Sequence, residues 1–136
     1  MAKMKEFRVV IEDKPGALGR CCRALAERGV NVLAFQSYVE EGESLARFLV
    51  NDAAAALAAL GGAHMIFEEV DVAVVRMTHR PGELARAAAA LGEHHINIDH
   101  SYSGLDPESN LPLAVFGVDA VSKASSLLDQ LSAQVR

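Results

Sequence analysis

The chain has 136 residues, 51% of them hydrophobic and 23% charged, and a formal net charge of −5. A composition this apolar excludes a disordered chain, and no apolar run approaches the ~20 residues of a membrane-spanning helix. Residues 1–70 carry eight Lys/Arg against ten Asp/Glu and residues 71–136 five against eight, so neither half has the cationic footprint that nucleic-acid binding requires.

The opening residues, Met1 to Phe7, lack the apolar core of a secretory signal. Phe7 to Ile11 is a short β-rich run that ends at a Pro-Gly turn, Pro15-Gly16. Leu18, Cys21, Cys22 and Leu25 then recur at helical spacing, and this helix is expected to stop near Gly29. A strand is predicted over Val30–Val39, a polar turn over Glu40–Glu43 and a second strand over Leu45–Val50. Asp52 is the expected N-cap of a helix ended by Gly61-Gly62, and Met65–Val70 a strand running straight into the second half of the chain.

The same order then recurs. Val70–Met77 is a strand, Pro81-Gly82 a turn, and Leu84, Ala87, Ala88 and Leu91 mark a helix that stops near His94-His95. Strands are predicted over Ile96–Gly104 and Leu111–Val118 around a turn at Leu105–Asn110, with Asp119 as the N-cap of a helix ending near Leu131. Only Ser132 to Arg136 remain, so a last strand is expected to be short or missing.

The recurrence extends to residue identity. Shifted by 66 positions, the window 13–32 matches 79–98 without a gap, with eight identical residues in 20. The matches include Pro15/Pro81, Gly16/Gly82, Leu18/Leu84 and Asn31/Asn97. A repeat of that length exceeds the period of a solenoid and predicts two small domains, residues 1–70 and 71–136. Each reads β-α-β-β-α-β, so the fold class is α+β: two tandem ferredoxin-like units with antiparallel sheets and helices on one face. The bare sheet faces and edges then need covering, in part by a homodimer.

The strand-to-helix turns are the segments best suited to hold a ligand. Gly16 and Gly82 permit close backbone approach, and the next N–H groups are unpaired donors at the positive end of a helix, where a carboxylate fits. An amino acid also brings an ammonium group, for which Asp13 before the first turn and Asn31 on the next strand supply oxygens. The second turn has His79 in place of Asp13, so the two turns are not equivalent.

The pattern of a strand, Asp/His-x-Pro-Gly-x-Leu, a helix and Gly/His-Val/Ile-Asn-Val/Ile, present twice, resembles the ACT domain family, and the chain as a whole resembles free-standing tandem ACT proteins. The resemblance implies a cytoplasmic, non-catalytic regulatory module that binds an amino acid, often at an interface between two ACT units, and that uses no cofactor. It implies ligand contacts at Asp13, Pro15, Gly16, Ala17, Leu18 and Asn31 in the first unit. In the second they fall at His79, Pro81, Gly82, Glu83, Leu84 and Asn97. The expected partners are a small amino acid, a second copy of the chain and an enzyme of amino-acid metabolism; the alternative is a ligand-free docking module or regulatory subunit.

Other chemistry has less behind it. Adjacent Cys21 and Cys22 form no disulfide framework, which fits a reducing compartment, and they have no partner base. His94, His95 and His100 are close in sequence, but they lack the spacing of a metal site. The alanine runs at 53–56 and 87–90 read as helix formers.

Overall fold

The computed structural model describes residues 3–134. Its elements run β1 (Lys3–Ile11), α1 (Ala17–Glu27), β2 (Val32–Glu40), β3 (Glu43–Val50), α2 (Ala53–Gly62), β4 (Ile66–Arg76), α3 (Glu83–Glu93), β5 (Ile98–Asp106), β6 (Leu111–Val118) and α4 (Val121–Gln134). The chain forms two compact units: Lys5–Val70, and Asp71 onward together with Lys3 and Met4 from the start of β1. β4 carries the chain from one unit into the other without a break, as the run Met65–Met77 predicts. No helix among the described residues is long and apolar enough to cross a membrane.

In the first unit β3 is central, antiparallel to β1 and to β2. Period-two alternation turns Phe7, Val9, Ala46, Phe48 and Val50 toward α1 and α2, where Cys21, Leu25, Ala56, Ala59 and Leu60 complete the core. Each large side chain removed from water there contributes about 1.5–3 kcal/mol. On the opposite face, Leu45 and Leu49 are also fully buried, and so is Glu6.

The second unit repeats this plan with β6 between β4 and β5, and with Ala73, Val75, Phe116 and Val118 packed on Ala87, Leu91, Ala124 and Leu128. Of the residues at helical spacing in α3, Ala87 and Leu91 are buried and Leu84 is 56% exposed.

The copies diverge at the hairpin. In the first, Glu41 and Gly42 form a two-residue turn with φ of 50° and 79°, the primed turn that matches strand twist. The second has four residues between Asp106 and Leu111, so beyond this point the correspondence shifts by 68 positions instead of 66. Asp52 caps α2 by accepting from the Ala55 N–H at 3.0 Å. Its counterpart is then Ala120, directly before α4, and the expected cap Asp119 stands one residue too early. The same shift sets Asp129-Gln130 opposite Gly61-Gly62. α2 ends with that glycine pair, whereas α4 continues to Gln134, the last described residue, so the rest of the expected last strand lies outside the described residues.

Both first helices end in the same Schellman arrangement. Gly29, at φ 72°, donates to Ala26 O, and Val30 donates to Leu25 O. In the second unit His95 takes the left-handed position at φ 58°, and Ile96 donates to Leu91 O at 2.9 Å.

Candidate functional site

Gly16 and Gly82 are the residues immediately before α1 and α3, at φ 89°, ψ −12° and φ 90°, ψ −14°. A positive φ of this size is what glycine supplies and a side chain resists, so the Pro-Gly pair has a backbone reason in both copies. Each proline precedes the capping glycine and does not occupy the first helical position. Neither glycine position offers a side-chain cap. Ala17 N–H reaches Lys14 O at 3.3 Å, and Glu83 N–H reaches Arg80 O at 3.4 Å.

Asp13, Pro15, Gly16, Ala17 and Leu18 come together in the first turn, and His79, Pro81, Gly82, Glu83 and Leu84 in the second. The asparagines do not join them. Ile11, leading into the first turn, pairs with Ser44 at the start of β3, whereas Val32, next to Asn31, pairs with Val50 at its end. The length of β3 between those pairs is about 20 Å. Asp13 and Asn31 of one unit therefore cannot hold the same ammonium group. Asn31 instead ties the strand ends together: its N–H donates to Asn51 Oδ1 at 2.9 Å, and its carbonyl accepts from the Asn51 N–H at 3.1 Å. Asn97 donates from Nδ2 to Asp99 Oδ1 at 3.3 Å, likewise at the far end of its unit.

Beside the first turn, a cleft of about 440 Å³ opens between α1, the end of β1 and the segment entering β4. Ile11, Ala17, Ala24, Met65 and Ile66 give it apolar walls, and Glu12, Arg20 and His64 its polar groups. The Lys14 ammonium 2.8 Å from Glu12 holds that carboxyl below its ordinary range, with a smaller contribution from Arg20. The Arg20 guanidinium lies at the turn itself, where a Cβ on Gly16 would stand 3.2 Å from Nη1. Sequence reasoning missed Glu12, Arg20, His64, Met65 and Ile66, since a cleft wall built from three elements leaves no local motif.

The cysteines and histidines offer no competing site. Cys21 is fully buried, and that burial pushes its thiol up to about 11; the Cys22 thiol is raised by the same cause. His94 contacts Ala90 O through Nδ1 at 3.0 Å, and the His100 ring stacks on Tyr102. Among the described residues no group of three or more His, Cys, Asp or Glu could hold a metal ion.

Residues 5–62 match the ACT domain family. That span covers the first turn, the cleft wall on α1 and the capped helix α2. No curated protein matches the chain. Among solved structures, protein BT0572 from Bacteroides thetaiotaomicron is similar, with a TM-score of 0.82 at 23% identity over 96% of this chain and 89% of that one. The ligand-free regulatory subunit of aspartate kinase from Thermus thermophilus has a TM-score of 0.64 at 20% identity, over 98% and 92%. The corresponding subunit from Thermus flavus has a TM-score of 0.60 at 22% identity, over 96% and 92%. At these identities the likeness is one of fold, and it agrees with the β-α-β-β-α-β order of the first unit and the β-α-β-β-α order described in the second.

Proposed function

We infer that this protein is a non-catalytic regulatory module that binds a small amino acid at its Pro-Gly turns. The observation that carries the reading is the first turn: a left-handed glycine opening a helix, inside the segment that matches the ACT domain family. A helix N-terminus favours a carboxylate, and Asp13 at the same turn provides an acceptor for an ammonium group. Asn31 is engaged through its backbone with Asn51 and Asn97 through its side chain with Asp99, so the reading puts the ligand at the turns alone. The second turn has the same backbone with His79, Glu83 and an exposed Leu84 around it, and it is the weaker candidate.

The output belongs to another protein, and an enzyme of amino-acid metabolism is the proposed partner, in a cytoplasmic setting and with the chain as a homodimer. Similar folds are named as regulatory subunits of aspartate kinase, which supports that direction. The same names favour a second reading, a subunit that docks on an enzyme with its turns empty.

A thermal-shift screen of the twenty amino acids at millimolar concentration separates the two. A ligand that binds only the folded state, present at 100 times its dissociation constant, adds about 2.7 kcal/mol of stability. A rise in Tm for one side-chain class supports the sensor; no rise for any amino acid leaves the docking subunit.

A further inference from the structure

The duplication provides an internal comparison for the cleft. Its counterpart in the second unit, between Met77, Glu83, Arg86 and Leu131, has a volume of only about 10 Å³. Two of its lining positions carry larger side chains than their partners in the first unit. Ala17 becomes Glu83 at the first helical position, and Ala63, just after α2, becomes Leu131 within α4. The Glu83 side chain is only 11% exposed; its Oε1 lies 3.2 Å from Arg80 Nε and its Oε2 3.5 Å from Arg86 Nη2.

Arg86 is the repeat partner of Arg20. In the second unit this arginine holds a carboxylate supplied by the chain, and in the first the position of that carboxylate is taken by an alanine methyl beside an open cleft. We propose that the first unit's cleft seats the carboxylate of a small apolar amino acid on Arg20, and that Glu83 occupies the equivalent place in the second unit permanently. The ligand's side chain lies against Ile11, Ala24, Met65 and Ile66, whose apolar surface suits an aliphatic group. At about 440 Å³ the cleft is within the 300–1,000 Å³ range of small-molecule sites. This deepens the amino-acid-binding reading and rests on it: it assigns the site to one unit of the two and the anchoring group to a side chain.

The test uses the full chain and tracks backbone amides by NMR during titration with L-leucine, 4-methylpentanoate (its des-amino analogue) and 3-methylbutylamine (its decarboxylated analogue). The two carboxylates are expected to move amides at 11–24 and 63–66 and leave those at 77–90 in place, and the amine to move neither set. Arg20→Gln is expected to weaken L-leucine binding about tenfold or more, the loss of one charge-assisted contact. Ala17→Glu, which installs the residue the second unit already carries, is expected to abolish it. Glu83→Ala is expected to bring amides at 77–90 into the response. Amino-acid binding that survives both Arg20→Gln and Ala17→Glu overturns the cleft and leaves the turn as the site. No response to any amino acid in the screen, nor to these three probes, overturns both. Should Ala17→Glu fail to fold, the exposed Arg20 still decides.

Discussion

Arg47 donates from Nη1 to Glu6 Oε2 at 2.8 Å, and from Nε to the Tyr38 hydroxyl at 2.8 Å, joining β1, β3 and β2 on the sheet face away from the helices. Glu6 is fully buried and the Arg47 side chain 14% exposed. A buried ion pair adds little net stability over an apolar pair, but removing one partner strands the other charge. Glu6→Ala is therefore expected to cost about 3–5 kcal/mol in urea unfolding. The double variant Glu6→Ala/Arg47→Met should recover most of it. Additive losses in the double variant would show that the two side chains are not coupled.

His95 occupies a position that glycine fills in the first unit. Because a side chain at φ 58° is disfavoured, His95→Gly is expected to stabilise the protein by about 0.5–1 kcal/mol. The reverse change at the matching cap, Gly29→His, should cost a similar amount. Chemical denaturation of both variants checks the pair, and a loss at His95→Gly would mean the imidazole makes a contact that outweighs its backbone strain.

His100 and Gly117 face one another across β5 and β6, and a Cβ on Gly117 would overlap the imidazole ring. At the matching place in the first unit the pair is Ala34 and Leu49, small opposite large in the other sense. Gly117→Ala is accordingly expected to destabilise by about 1–3 kcal/mol through overpacking. His100→Ala in the same chain should relieve it. A double variant no better than Gly117→Ala alone would place the cost elsewhere.

Asp106 gives a pH dependence whose sign is fixed. The Ser109 hydroxyl donates to Oδ2 at 2.6 Å, the Glu108 N–H reaches Oδ1 at 3.3 Å, and Arg76 lies 3.5 Å away, so the folded carboxyl is held below its ordinary value. Its contribution is present in full above the unfolded value of about 4 and is lost as pH falls through the lowered folded value. Asp106→Ala should thus cost about 2 kcal/mol at pH 7. That gap between wild type and variant should narrow below about pH 4; a gap that widens on acidification would reverse the assignment.

The fold was legible because the repeat carried it: eight identities in one window set two helices, two turns and two strands in register. What escaped was non-local. The two extra residues in the second hairpin set Ala120, and not Val118, opposite the cap Asp52, so the expected cap Asp119 misses the position by one; turn length is independent of the pattern on either side of it. Asn31 looked like a neighbour of Asp13 from its place in the motif, yet α1 carries it to the other end of the unit. The cleft was invisible because Ala17 and Ala63 act by being small, and its signal lay in the replacement of Ala17 by Glu83 beside a shared arginine.

The buried thiol of Cys21 also makes the two copies distinguishable to chemistry. Its repeat partner is Ala87, and that of Cys22 is Ala88, so both thiols of the chain lie on α1. A thiolate is the reactive form, and a thiol raised to about 11 in a sealed core meets reagent only when the first unit opens. In a chain with Cys22→Ala, the rate of Cys21 labelling therefore times the opening of the first unit alone, while the second stays silent in the same tube.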